Sequence, residues 1–326
     1  MNLAPVEHPD IKAAPPLVAR EPSRIALTVF DPDLLAEAVR GAGFEHRQLY
    51  PGRFSGELVR TEAAGIIIDR GCYSRALLAQ GAFSPRSITV GFLLSDREPG
   101  YVNGIRARAH DLIVFPENGE LDYMLPADTE WCSVQIERTA LLAFGVDPAS
   151  IERMSVVSPD TGQRRHLARL MRFALDGLVT AQAQHAFRDT ILEQLYQTLS
   201  QQGDRCRHPN FSERAKLVRR FEQVADAQGA ERRSVAELAL GLGVSRRTLE
   251  LAFRDYMGLS PARYLVVLRL NAVHRELLNA CEDNQRVADL AAQHGIAHLG
   301  RFASDYRQMF GELPSQTLRR ARPNTR

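Results

Sequence analysis

The sequence predicts two domains: a mainly-β small barrel first, then linker helices and an all-α region built from a repeated helix-turn-helix. Three observations carry this. Short β-rich runs separated by turn signals fill residues 25–137. A helical apolar period replaces them from about 138. Residues 212–320 contain an internal near-repeat.

Residues 1–24 are polar and Pro-rich and read as a loose arm. Asp31 as N-cap and Pro32 at the first helical position predict a helix over Pro32–Arg40. Strand runs follow at Ile66–Ile68, Ile88–Leu94, Leu112–Phe115 and Trp131–Ile136. Turn signals separate them: Pro51-Gly52, Pro99-Gly100, Asn103-Gly104 and Pro116-Glu117-Asn118-Gly119. Asn103-Gly104 is the sharpest, since a type I′ hairpin needs positive φ at both central positions. In this region Tyr101, Tyr123 and Trp131 are candidates to line an effector pocket, and equally candidates for plain barrel core. Glu120, Asp122 and Glu130 are close to them in sequence and would suit a cationic ligand; a solvated strand face is the simpler reading.

Residues 138–201 read as linker helices. Leu167, Leu170, Met171, Ala174, Leu175 and Leu178 form one amphipathic stripe, and Phe187, Ile191, Leu192, Leu195, Tyr196 and Leu199 another. They either pack on the barrel or offer a dimer face. The polar stretch 202–211, which contains Gly203 and Pro209, reads as an interdomain linker before a helical region over 212–322.

In that last region Val235–Val244 matches Val287–Ile296 at an offset of 52, and Phe253–Pro261 matches Tyr306–Pro314 at an offset of 53. Each copy has the physics of a helix-turn-helix, placed at about 234–256 and 286–309. A short amphipathic helix (Val235, Leu238, Ala239, Leu242) stops at Gly243, which tolerates the left-handed turn. Ser245 then caps a second helix whose apolar stripe is Leu249, Ala252 and Phe253. A helix over 260–280, opened by Ser260-Pro261, joins the copies. The stripe of Leu249, Ala252 and Phe253 leaves Arg246, Arg247, Thr248 and Glu250 outside, and with the cap Ser245 they are the candidate DNA contacts of the first copy. The second helix of the second copy presents His298, Leu299, Gly300, Arg301 and Ser304, with Arg307 placed facing phosphate.

Charge agrees with a polyanion partner. Residues 212–326 hold 19 Lys+Arg against 13 Asp+Glu, a net +6, whereas the whole chain carries +2. Other classes find little support. The four cysteines are scattered and form no zinc or disulfide framework. In the barrel only His46 and His110 are available as imidazole ligands, too few for a metalloenzyme, and no metal or other cofactor is expected. His294 and His298 flank the Gly295 turn and cannot share one continuous helix as a zinc pair. Phosphate loops and nucleophile elbows are missing, so an enzyme is not expected. No apolar run suits a membrane span or a signal peptide, which makes the cytoplasm the default.

The repeat gives the resemblance its specificity. Val235-x-x-Leu-Ala, Gly243-Val-Ser, Leu249, Phe253, Gly258-x-Ser-Pro, Tyr264, Arg269-Leu270, Val287-Ala-Asp-Leu-Ala, His294-Gly295, Phe302, Tyr306-Arg307, Phe310-Gly311 and Pro314 resemble the C-terminal domain of the AraC/XylS family. Residues 25–137 are similar, more diffusely, to the cupin-like sensor domains of such regulators. The resemblance implies a homodimeric transcription activator that binds double-stranded DNA, works with RNA polymerase and responds to a small molecule. A loose likeness to amine- and ethanolamine-utilisation regulators implies an amine as that effector. The alternative is an N-terminal domain that only dimerises or binds a protein. The sequence departs from the family pattern at Ile296, Leu251, Leu299-Gly300 and Ser304, which implies weaker base reading by the second copy.

Overall fold

The computed structural model describes residues 23–29, 31–32, 43–63, 65–94, 100–109, 111–177, 181–200, 206–207, 213–227, 233–280 and 286–321. The chain divides into two compact units: Met1–His46 with Ser55–Asn210, and Arg47–Phe54 with Phe211–Arg326. The expected helix over Pro32–Arg40 lies outside the described residues except for Pro32. Among the described residues no helix is long and apolar enough to cross a membrane.

The first unit is built from two antiparallel sheets that do not close into a barrel. The larger contains β1 (Ser23–Val29), β3 (Gly56–Ala63), β4 (Ile66–Tyr73), β11 (Thr129–Glu137), β6 (Ser87–Leu93), β9 (Leu112–Phe115), β12 (Ser155–Val157) and β13 (Cys206–Arg207), in that spatial order. The smaller runs β2 (Gly43–Gln48), β5 (Leu77–Ala82), β10 (Glu120–Leu125), β7 (Gly100–Val102), β8 (Ile105–Ala107). All four apolar runs read from the sequence lie in strands of the larger sheet. The β7–β8 hairpin turns on Asn103 and Gly104, at φ 46° and 77°. Arg60 and Asp69 face each other across β3 and β4 and form a buried two-pronged ion pair, both bonds 2.7 Å. Truncating either partner strands a buried charge, at a cost of about 3–5 kcal/mol.

Two sequence boundaries shift. The sheet does not end at 137, because β12 pairs with β9 and β13 with β12. Part of the expected linker 202–211 is therefore a strand; two or three residues give no readable alternation. The helices after β11, α1 (Arg138–Ala143), α2 (Thr161–Gly177) and α3 (Ala181–Ser200), pack on the larger sheet. Leu167 of α2 and Phe187, Ile191, Leu192 and Leu195 of α3 enter one core with Ile66, Val90 and Val134. Among the described side chains these positions pack on the sheet, as one of the two expected roles of the stripes requires.

The second unit contains α4 (Glu213–Ala227), α5 (Val235–Gly241), α6 (Arg246–Met257), α7 (Pro261–Leu278), α8 (Val287–Gln293), α9 (Leu299–Phe310) and α10 (Pro314–Ala321). The repeat is exact in length: α5 and α8 have 7 residues each, and α6 and α9 have 12. Phe253 of α6 is fully buried, with ring centroids 4.8 Å from Phe221 of α4 and 5.4 Å from Tyr264 of α7. The equivalent Tyr306 of α9 is buried too, its hydroxyl 2.5 Å from His274 Nδ1 and donating to Thr317 Oγ1 at 2.9 Å.

Candidate nucleic-acid interface and ligand cavity

The backbone of α6 begins where a side chain can replace a missing partner. Ser245 accepts from the Thr248 N–H at 3.0 Å, and Gly258 ends the helix at φ 68°. One helix earlier, Ser234 and Glu237 close a reciprocal capping box around the start of α5. These stops orient α6 so that Leu249, Ala252 and Phe253 are buried while Ser245, Arg246, Arg247 and Thr248 are exposed and Glu250 is half-exposed. All five predicted contacts therefore share the outward side. Arg246 Nε donates to Glu250 Oε1 at 2.9 Å, one turn along the helix.

In α9, His298, Leu299, Gly300, Arg301, Ser304 and Arg307 are all exposed, over a stripe of Phe302, Tyr306, Met309 and Phe310 that is buried. Arg301 lies 3.7 Å from Asp305. Gly300 meets no atom within 4 Å of where a Cβ would stand, so no crowding demands a glycine there. His294 is directed instead at Glu276 Oε1, 2.8 Å away.

The first unit holds a cavity of about 70 Å³ between residues of both sheets. Its aromatic wall is Phe44, Tyr73, Phe83, Phe92, Phe115, Tyr123 and Trp131. Of the three residues predicted from sequence, Tyr123 and Trp131 line it and Tyr101 does not. Strand alternation explains this, since the neighbouring Val102 is on the lining. Neither Glu120, Asp122 nor Glu130 lines the cavity, and Glu130 accepts from Arg70 Nε at 2.5 Å.

Two glycines seat the large rings. A Cβ at Gly71 would come 2.5 Å from the Trp131 indole, and one at Gly100 would come 2.8 Å from the Tyr123 ring. Tyr123 Oη and Thr89 Oγ1 are buried and have no hydrogen-bond partner among the described residues. Burial holds the His46 imidazole at a pKa of about 4, against a hydrogen bond to the Pro32 carbonyl, so it is neutral at pH 7. The unfolded chain takes up that proton near pH 6.5 and the folded chain resists it. This contribution to stability is whole above pH 6.5 and is lost as the pH falls towards 4. Burial likewise pushes the Tyr73 and Tyr123 phenols and the Cys132 thiol up, so all stay protonated.

Comparison with known proteins bears on the helical unit above all. A helix-turn-helix domain family matches residues 238–320. The probable thc operon regulatory protein of Rhodococcus erythropolis is 35% identical over 103 residues, 32% of this chain and 31% of that protein. This chain thus spans about a third of that relative. The XylDLEGF operon transcriptional activator 2 of Pseudomonas putida is 34% identical over 128 residues, 39% of this chain and 77% of that protein. A solved chain, a probable AraC family transcriptional regulator from Rhodopseudomonas palustris, is 36% identical; it covers 33% of this chain and 99% of its own length, at a TM-score of 0.31. On the repeat and on these identities, the chain belongs to the AraC/XylS family of transcriptional regulators.

Proposed function

We propose that this protein is a homodimeric transcription activator that reads two successive major-groove sites with α6 and α9, engages RNA polymerase, and is switched by a small molecule held in the cavity of its first unit. One observation carries the DNA reading. The same helix pair occurs twice, and in both copies the side chains suited to base edges are exposed while the apolar stripe is buried. An arginine on such a face forks to guanine, and Glu250 accepts from a cytosine amino group. The test is selection from a random-sequence duplex library by the full chain, followed by a salt titration. Binding should fall with a log–log slope of about −0.9 per phosphate neutralised. A flat salt response would remove this reading.

The cavity supports an uncharged aromatic effector rather than an amine. No Lys, Arg, Asp or Glu side chain is on its lining, and an ion entering it would lose hydration without a counter-charge. Tyr123 Oη and Thr89 Oγ1 supply the hydrogen bonds that fix orientation. Benzyl alcohol, benzoate and benzylamine share a ring and differ in charge. At about 100 times its dissociation constant a ligand adds about 2.7 kcal/mol of stability. The alcohol should raise the melting temperature most; a larger shift from the amine would refute the assignment.

A further inference from the structure

The DNA-reading unit is discontinuous in sequence. Arg47–Phe54 belongs to it, although those residues lie far upstream of every helix in the unit. The Gln48 N–H donates to Asn271 Oδ1 at 2.9 Å, and Asn271 Nδ2 donates back to the Gln48 carbonyl at 3.0 Å. This is a closed amide pair set against the middle of α7. Both side chains are buried. Gln48 Nε2 then donates to the carbonyls of Tyr50, Gly52 and Met309, at 2.8, 2.7 and 2.7 Å. The Gly52 N–H reaches the carbonyls of Gln308 and Met309, both at 3.0 Å. The Tyr50 hydroxyl donates to the Met257 carbonyl at 3.2 Å.

The receiving carbonyls are not scattered. Met257 ends α6, and Gln308 and Met309 lie in the last turn of α9. Carbonyls at helix C-termini lack a partner within their own helix. One eight-residue segment thus supplies donors to the ends of both recognition helices and grips the helix that joins them. It also closes on both left-handed caps. A Cβ at Gly258 would stand 3.2 Å from Tyr50 Oη, and one at Gly311 would stand 3.0 Å from Arg53 Cβ.

We propose that Arg47–Phe54 is a tie that fixes α6 and α9 relative to each other, with Gln48 and Asn271 as its positioning residues, so that discrimination of half-site spacing depends on a segment that touches no DNA. The proposal rests on the DNA-binding reading but not on the effector. It extends that reading by assigning the register between the two helices to side chains outside the repeat.

The test uses the full chain and three duplexes: a selected operator, the same operator with one base pair inserted between its half-sites, and the first half-site alone. Wild-type protein should bind the inserted operator markedly more weakly than the native one. In Gln48→Ala, which removes three side-chain hydrogen bonds, and Asn271→Ala, which opens the amide pair, affinity for the native operator should fall about tenfold. Affinity for the single half-site should stay near wild type, and the penalty for the inserted base pair should shrink. Unchanged operator affinity with the full spacing penalty would overturn the tie. Equal losses on the half-site and the operator would also overturn it, since that marks a general folding defect. If either variant does not fold, Tyr50→Phe decides, because it removes the hydroxyl that bonds Met257 and keeps the ring. A smaller loss of spacing discrimination supports the tie, and wild-type behaviour refutes it. Failure of the DNA-binding reading is distinct: wild-type protein would then bind none of the duplexes.

Discussion

The two helix-turn-helix copies share a backbone plan and differ in how firmly each recognition helix is started. The helices match in length, both turns use a glycine in the left-handed region (Gly243 at φ 69°, Gly295 at φ 68°), and both recognition helices end on another (Gly258, Gly311). The extra residue of the second copy lies in its turn. Four residues, Leu242–Ser245, separate α5 from α6, whereas five, His294–His298, separate α8 from α9. Ser245 and Ser234 cap their helices in the first copy. In the second, Arg286 and His298 occupy those positions, and neither makes a side-chain cap. The second copy thus has one more residue in its turn, no side-chain cap on either helix, and Leu299-Gly300 at the positions that Arg246-Arg247 hold in the first.

The largest effects should come from the stripe both copies share. Leu249→Asp or Phe253→Asp buries an unpaired charge at a fully buried site and should cost more than about 4 kcal/mol, enough to unfold the first copy. Arg246→Ala and Arg247→Ala should melt as wild type while weakening DNA binding. Circular dichroism melts that find the arginine variants the unstable ones would reverse the assignment of faces.

Next in size is the asymmetry of reading. Base substitutions under α6 should cost about 1–3 kcal/mol each, the usual worth of a good direct contact. Those under α9 should cost less, except at a position facing Arg301. Arg247→Ala should relax specificity at one base pair, whereas Arg307→Ala, assigned to phosphate, should weaken all sequences alike. The measurement is a saturation-mutated operator titrated with each variant. Equal discrimination under both helices would break the comparison and point to readout of DNA shape.

The exposed face was legible in part because a 3.6-residue period fixes exposure locally: with Leu249 and Phe253 inside, Arg247 falls outside, whereas Arg246, at the i−7 position of Phe253, is exposed because it is the first residue of the helix. Trp131 and Tyr123 were legible for a similar reason, as aromatics in or near strong strand runs. Phe44 and His46 were not, because β2 is short and weakly alternating, and Phe83 was not, because it stands just past the end of β5 with no strand pattern of its own. The tie was invisible for a deeper reason. Gln48 and Asn271 are 223 positions apart, and a polar residue inside an apolar stripe shows that a partner is needed without saying where it is.

The smallest effect tests the origin of the difference between copies. Removing the cap in Ser245→Ala should cost about 1 kcal/mol. The reverse experiment, His298→Ser, should recover less. A capping residue sits in extended backbone, as Ser245 does at φ −71°, ψ 151°, whereas His298 stands at φ −113°, ψ 89°. A serine there must rotate ψ before its oxygen reaches the Arg301 N–H, and the five-residue turn resists that rotation. The expected gain is a few tenths of a kcal/mol, or about 1–2 °C in the thermal midpoint, read by calorimetry on the full chain. A gain as large as the Ser245→Ala loss would mean that the longer turn adapts freely, leaving the copies to differ only in side chains. A loss of stability would mean that the His298 ring itself holds the start of α9, and the account of the second copy as the less firmly started one would fail.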